Sequence, residues 1–407
     1  MPQLWNLPVF TQKIVCFLII FSISFIISPK IEARNGFIPH YVGAHGITGG
    51  AGLAYPHEAS NVVTNPAAIG MLPTHVLLMA GVLFQDQFVD ASKSQAGNPR
   101  GKLKNLHDNT LIASLGANYR WNERWATGVG VSGGGGETKL QDSITNPAFL
   151  NPAKGGFDRE VVNNVILTVP SIAYSPTPRH SYGIGLLVGY SRFRGNLAKA
   201  GFVQIKGRNR ADTAYGLGMR FGLLFKLTDY LSFGSSISTP VYFQKHKKYD
   251  DLLKERMEIP ATFLAGIALK LTESLDFLFD YKEIFYGYSA WLRRGEGWRN
   301  QTVLLAGLQY HVNEKLVVGF GYNYGASPIN KGFVTLNATS LPLEEHNLSG
   351  GFRYKLTPTK EFILVVFYTP PFKMTDDGTK FANGAFAGTK IVMNKTYGFE
   401  TGFKFDL

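Results

Sequence analysis

Apolar and polar residues alternate one by one through segment after segment of this 407-residue chain. Tyr397, Phe399, Thr401, Phe403, Phe405 and Leu407 interleave with Gly398, Glu400, Gly402, Lys404 and Asp406. Leu316, Val318, Phe320, Tyr322 and Tyr324 do the same against Val317, Gly319, Gly321 and Asn323. Side chains along a strand point alternately to its two faces, so each such segment is a strand with one greasy face and one polar or very small face. The pattern predicts fourteen strands, from residues 74–84 to 396–406, with the third at 125–135 and the least periodic at 163–174 and 361–369. Composition agrees: 45 Gly, 30 Phe, 19 Tyr and only 17% charged residues suit a large β structure and exclude a coiled coil or a disordered chain.

The connections carry a second constraint. Links at Asn122-Glu123, Thr228-Asp229, Thr272-Glu273 and Asn313-Glu314 are tight, as are those at 175–180 and 357–360. Between them lie long ones at 85–108, 136–162, 194–210, 244–260, 287–300, 325–345 and 370–395. Short and long alternate strictly, which puts every long loop at one end, as in a transmembrane barrel with an even strand count. No segment approaches 18 consecutive apolar residues, so helical spans are not expected, whereas barrel strands need only about 9 to 11 residues each.

Residues 1–33 read as a secretory signal, with Lys13 ahead of an apolar run at 14–27 and a small-residue site at Ala33. A retained anchor is the alternative, although a spanning helix needs about 20 apolar residues. The one cysteine, Cys16, lies inside that run, so a processed chain contains no thiol for a disulfide, a nucleophile or a metal.

On the predicted strands, Leu275, Phe277, Phe279 and Tyr281 face lipid while Asp276, Asp280 and Lys282 face the lumen, because a charge on the lipid side costs about 2 to 4 kcal/mol at mid-membrane. Arg220, Lys226, Lys270, Arg353, Lys355, Glu400 and Lys404 join the lumen by parity, either bracing the wall by mutual pairing or meeting a ligand. Enzyme chemistry finds no support. Gly128, Gly130 and Gly133 match G-x-G-x-x-G but lack the following helix, and the nine His show no metal-ligand spacing. The net charge of +12 is spread over loops and lumen without the compact stripe of a nucleic-acid binder. No cofactor, metal or nucleic-acid partner is expected.

The stretch 34–73 departs from the barrel pattern. It is rich in Gly and Ala and runs into Asn65-Pro66-Ala67-Ala68-Ile69-Gly70, where Asn65 can cap a helical turn opened by Pro66 and ended by Gly70. Such a segment either plugs a wide bore or hangs as a tail.

Gly49-Gly50-Ala51-Gly52-Leu53-Ala54, Glu58-Ala59-Ser60 and the Asn65-Pro66-Ala67 run together resemble the N-terminal hatch of the FadL/TodX outer-membrane transporters. Ser238-Thr239-Pro240-Val241, Glu258-Ile259-Pro260-Ala261-Thr262 and Gly325-Ala326-Ser327-Pro328-Ile329 agree in kind. The resemblance implies an all-β, 14-stranded antiparallel transmembrane barrel over 74–407, a hatch over 34–73, a monomer, and passive movement of long-chain fatty acids or other hydrophobic compounds across a bacterial outer membrane. It also implies a sideways exit through the third strand, next to the hatch. Here that strand meets Gly133, Gly134, Gly135 and Gly136, which form the expected opening with Asn65, Pro66 and Ala67, unless the glycines simply start the following loop.

Tyr249, Leu252, Leu253 and Met257 recur at helical spacing in one long loop, and Leu197, Phe202, Val203 and Ile205 lie in the preceding one. By the same resemblance they form a capture groove, with a helix that caps the mouth as the alternative. Basic residues nearby, including Arg192, Arg194 and Arg210, suit outer-membrane lipid and lipopolysaccharide phosphates, a ligand head group, or plain solvation. A general diffusion porin and a surface adhesin or structural barrel are the alternative functions.

Overall fold

The protein is described by a computed structural model covering residues 43–94, 102–140, 159–196, 209–339, 345–380, 384 and 386–407. The expected signal segment, the first part of the 34–73 stretch, and Leu197, Phe202, Val203 and Ile205 lie outside the described residues.

Fourteen long strands form the wall: β1 His75–Asp90, β2 Asn109–Arg120, β3 Trp125–Leu140, β4 Arg159–Thr177, β5 His180–Asn196, β6 Asp212–Lys226 and β7 Leu231–Ser238, then β8 Thr262–Thr272, β9 Leu275–Ile284, β10 Gln301–His311, β11 Leu316–Tyr324, β12 His346–Thr357, β13 Lys360–Thr369 and β14 Lys390–Asp406. Each pairs antiparallel with its neighbours in sequence, and β14 closes on β1 from His75↔Asp406 to Asp90↔Lys390. Closure removes the two sheet edges that hydrocarbon cannot solvate. Short turns gather at one end and long connections at the other, as the spacing predicts. The least periodic segments are strands too. On β9 the burial alternates residue by residue, with Asp276, Leu278, Asp280, Lys282 and Ile284 turned inward.

Three departures from strict alternation have local causes. β1 and β14 run well past the ends expected at Phe84 and Thr396, because a bulge opposite Asp86 and Gln87 leaves Asn394 and Lys395 both exposed and shifts the phase beyond it. β7 stops at Ser238 where a strand to Phe243 is expected. Pro240 has no N–H to donate, and the chain resumes as Val241–Phe243 with its register on β6 moved by one residue. Pro260 interrupts the adjacent chain at the same height, between Glu258–Ile259 and β8.

Residues 43–72 form three short 3-10 helices, Gly43–Thr48, Ala59–Val63 and Pro66–Met71, inside the ring. Asn65 caps the last one, accepting from Ala67 N at 3.1 Å, with Pro66 at its first position as expected. The turn runs on to Met71, and Gly70 serves packing: a Cβ there would strike the Ser181 and Ser175 hydroxyls. Inner-face glycines around the wall leave room for this segment. A side chain on Gly116 of β2 would meet Ser60, on Gly130 of β3 Val62, on Gly183 of β5 Pro66, on Gly234 of β7 Leu53, and on Gly321 of β11 Gly49. Gly128 and Gly130 of the apparent G-x-G-x-x-G run belong to this inner surface, against Ile69 and Val62.

Gly321→Val therefore should leave the barrel folded and heat-modifiable while dislodging residues 47–50, at a cost of about 1–3 kcal/mol or more from overpacking. Hydrogen-exchange protection of the Gly49 and Gly50 amides reads it, with Phe320→Val on the opposite, lipid-exposed face as the control.

Candidate functional site

Two features meet on the β3 side of the lumen: an apolar cavity and a seam in the wall. The cavity is lined by Val165 and Leu167 of β4, Leu187 of β5, and Leu264 of β8, with Val241 and Ile259 paired across from them. Pro240 and Pro260 interrupt their ladders at this point, which is why Thr239, Val241 and Pro260 reach the lining. Val63 and Thr64 form one boundary and Ser132 and Gly133 another, with Arg220 and Lys282 as the two cationic members of the lining.

The seam is read from the register. β3 pairs with β4 over sixteen positions, from Trp125↔Tyr174 to Leu140↔Arg159. With β2 it pairs over only six, from Arg120↔Ala126 to Leu115↔Val131. β2 itself continues against β1 to Asn109↔Phe84. Among the described residues, no backbone pairing joins the stretch 109–114 of β2 to 132–139 of β3. The strands are reconnected further out, where Asn105 bridges Leu140, Leu106 N donates to Lys139 O at 2.8 Å, and Lys139 N donates to Asn105 Oδ1 at 2.9 Å. Gly133, Gly134, Gly135 and Gly136 all lie within this interval, in register with Ile166 to Asn163.

Asn65, Pro66 and Ala67 are placed by contacts with β5 and β6. Asn65 and Pro66 are seated against Gly222 of β6 and Gly183 of β5, and Asn65 Nδ2 donates to Leu53 O at 3.2 Å and Leu223 O at 3.1 Å. Val62 and Val63 abut Gly130, and Val63 and Thr64 share the cavity with Ser132 and Gly133. Sequence reasoning singled out the capping signature and passed over the residues before it, which look like ordinary core.

The lumen charges hold the inner segment. Asp280 Oδ2 accepts from Gly52 N at 2.8 Å and Leu53 N at 2.9 Å. Arg220 donates to Val63 O, to Thr64 O at 3.2 Å and to Thr262 Oγ1 at 3.0 Å. Arg353 bonds the His57 ring and Gln309 Oε1, and Glu361 lies 3.0 Å from His57 Nε2 and 3.5 Å from Lys404 Nζ. Sequence parity places these groups inward; their partners are backbone and side chains of residues 52–64 more than one another. Charge-assisted bonds of this kind are about twice as strong as neutral ones.

Glu58 is fully buried and accepts from Ser60 N at 2.6 Å and Ser60 Oγ at 2.8 Å. Burial pushes its carboxyl up from 4.5 to about 7. Further out, His107, Glu137 and Glu160 offer three ligand atoms within 4.8 Å of one another. Arg194 binds both Glu137, at 3.4 Å, and Glu160, so the protein supplies the cation at this point itself.

Of the expected groove, Tyr249 and Met257 are buried with Phe193, and Leu252, Leu253 and Trp291 pack on them. The Tyr249 ring stands 4.8 Å from that of Phe193, its hydroxyl accepts from Gly195 N at 2.9 Å, and it donates to Arg210 O at 2.9 Å. Helical spacing yields only the 3-10 turn Lys247–Tyr249. A segment this short does not sustain an isolated helix, and its apolar side chains pack down on the barrel mouth.

No protein-family model and no curated protein matches this sequence. Solved structures do. The chain is similar to the toluene transporter TodX of P. putida, at 14% identity and a TM-score of 0.68 over 92% of this chain and 99% of that one. It is similar to a Pseudomonas aeruginosa FadL homologue, at 13% identity and a TM-score of 0.66 over 92% of this chain and all of the other. The Ralstonia pickettii toluene transporter TbuX gives 15% identity and a TM-score of 0.64 over 92% and 99%. The protein thus has the fold of the FadL/TodX-type outer-membrane transporters, a closed 14-stranded antiparallel β-barrel.

Two outcomes test how the inner segment is held. Asp280→Ala removes two charge-assisted bonds, at about 1.5–3 kcal/mol each, and should strip exchange protection from the Gly52 and Leu53 amides. Glu58, whose carboxyl is raised in the folded state, lends its full stability to the docked segment below about pH 4.5 and loses it as pH rises through 7. Protection of the Ser60–Thr64 amides, corrected for intrinsic exchange, should fall across that window in the native protein and fall less in Glu58→Gln.

Proposed function

We propose that the protein is a passive transporter of hydrophobic small molecules in a bacterial outer membrane, delivering them sideways into the bilayer through the β2–β3 seam. The observation that carries this reading is the lapse of the β2–β3 ladder beside an apolar cavity, over 109–114 of β2 and 132–139 of β3. Residues 34–73 act as the hatch. Their described part lies across the bore and is held by Asp280, Arg220 and Arg353. An apolar solute gains nothing from an aqueous route along the axis, whereas a cavity that abuts the seam gives it a short path into lipid. Long-chain fatty acids and monoaromatic hydrocarbons are the candidate cargoes, in keeping with the transporters that share the fold. No covalent step is involved; the work is done by partition into the cavity and by a shift of Val63 and Thr64 away from Ser132 and Gly133.

A general porin is disfavoured by the occupied bore, and planar-bilayer conductance separates the two: the proposal expects little, a porin a large steady value. The seam is tested by closing it. Ser114 and Ser132 are the next facing pair beyond Leu115↔Val131, and Cys16 is the only native cysteine. In Ser114→Cys/Ser132→Cys, oxidation should lower accumulation of labelled oleate and toluene by whole cells at least tenfold, and reductant should restore it. Full uptake by the oxidised, cross-linked protein would refute the exit route.

A further inference from the structure

The outward face of β1 and β14, at the end where the long connections gather, carries a feature that transport does not use. Phe84 of β1 and Tyr397 of β14 stack on the outer surface with ring centroids 5.2 Å apart, the upper members of the apolar band there. Just beyond them, β1 is flanked by the short strand Lys102–Lys104 and β14 by Phe372–Thr375. The registers Phe88↔Lys104, Phe88↔Val392 and Lys373↔Val392 lay out one row across four adjacent strands: Lys104, Phe88, Val392, Lys373. Two residues further out the row is Lys102, Asp90, Lys390, Thr375. The intervening residues Val89, Leu103 and Ile391 are buried, which fixes the lysines on the outward side.

With strands about 4.8 Å apart, each row is about 14 Å wide. Lys102, Lys104 and Lys373 are exposed and Lys390 is half-exposed. The ammonium of Lys102 stands 5.2 Å from the Phe88 ring centroid, and among the described residues no carboxylate lies within 4 Å of any of the four. Asp90, the single acid in the two rows, accepts from Ser92 N and Oγ and also attracts Lys390 and Lys102. Four cations thus frame Phe88 and Val392, and Asp86, Asn394 and Lys395 separate this group from the Phe84–Tyr397 stack.

We infer that this face is a docking site for lipopolysaccharide, its phosphates held by Lys102, Lys104, Lys373 and Lys390 and its acyl chains lying on Phe88, Val392 and the Phe84–Tyr397 stack. The match is one of charge and layering. Cations sit where the phosphorylated head groups of the outer leaflet lie, with Phe88 and Val392 among them and the Phe84–Tyr397 stack below, past Asp86, Asn394 and Lys395. Arg192, Arg194 and Arg210, the basic residues prominent in the sequence, are not part of this patch, and Arg194 is already paired with Glu137 and Glu160.

The inference rests on the outer-membrane placement of the proposed function, and the test keeps the two apart by measuring lipid binding and uptake on the same variants. The purified full-length barrel in detergent is titrated with lipopolysaccharide, with the same material after enzymatic dephosphorylation, and with phosphatidylglycerol, using native mass spectrometry. Tight binding of intact lipopolysaccharide is expected, weakened at least tenfold by dephosphorylation and at least tenfold in Lys102→Gln/Lys104→Gln/Lys373→Gln/Lys390→Gln. The corresponding all-Arg variant should keep binding, as should Lys226→Gln/Lys355→Gln at the opposite end of the barrel. All variants should stay heat-modifiable and take up oleate normally. Equal binding by the Gln variant, by dephosphorylated lipid or by phosphatidylglycerol would overturn the site while leaving the transport reading intact.

Discussion

In hydrocarbon every backbone N–H and C=O must find a partner within the protein, and the whole architecture follows from that requirement. It is met by closing the sheet, β14 on β1, so that no strand edge faces lipid. Against this background a lapse in the ladder is expensive, and among the described residues an extended one lies between β2 and β3. Leu115↔Val131 bounds that interval at one end and the Asn105–Leu140 bridge at the other. The seam is a defect with two built ends. Four consecutive glycines occupy its β3 side, and the cavity reaches Gly133.

A ring of fourteen strands leaves a bore too wide for its own side chains to fill, and here residues 43–72 fill it. That choice explains both the glycine content and the buried charge. Where the segment's backbone touches the wall, the inward residue must be glycine, as at Gly183 and Gly321; where the segment's amides and carbonyls need partners, the inward residue is polar, as at Asp280 and Arg220. Buried ions are costly unless paired and hydrogen-bonded. These are bonded to the inner segment, so their stabilisation depends on where that segment sits. A pairing confined to the wall would stiffen the barrel and nothing else.

The period-two pattern made the strands, the faces and the loop alternation legible, because burial on one side of a pleated sheet leaves a linear trace. It failed where local chemistry breaks the phase: the bulge at Asp86 and Gln87 hid the outer halves of β1 and β14, and Pro240 cut β7 short. The Asn65-Pro66 cap was readable because capping is a local interaction. Its position against β5 and β6 was not, since Gly183 and Gly222 lie more than a hundred residues away. The seam was half legible: a glycine run marks a weak place in a strand, but whether the neighbouring ladder stops there is set by the register of two other strands. The lysine patch left no trace at all, being assembled from four segments whose adjacency only barrel closure creates.

Arg220 shows how the cavity and the inner segment are one device. Its guanidinium bonds the carbonyls of Val63 and Thr64, the residues that separate the cavity from the segment's interior, and it also lines the cavity. Anything that changes the position of Val63 changes the cavity's shape and its access to Ser132 and Gly133 together. The hydrogen bonds that keep the bore filled and the contacts that shape the cavity next to the seam are therefore made by the same few atoms. Displacing the segment from this corner requires breaking two bonds at Arg220, those to Val63 O and Thr64 O, and leaves those to Asp280 and Arg353 in place. A local shift at residues 62–64 thus costs less than expelling the whole segment, as the sideways path we propose requires and an axial pore does not.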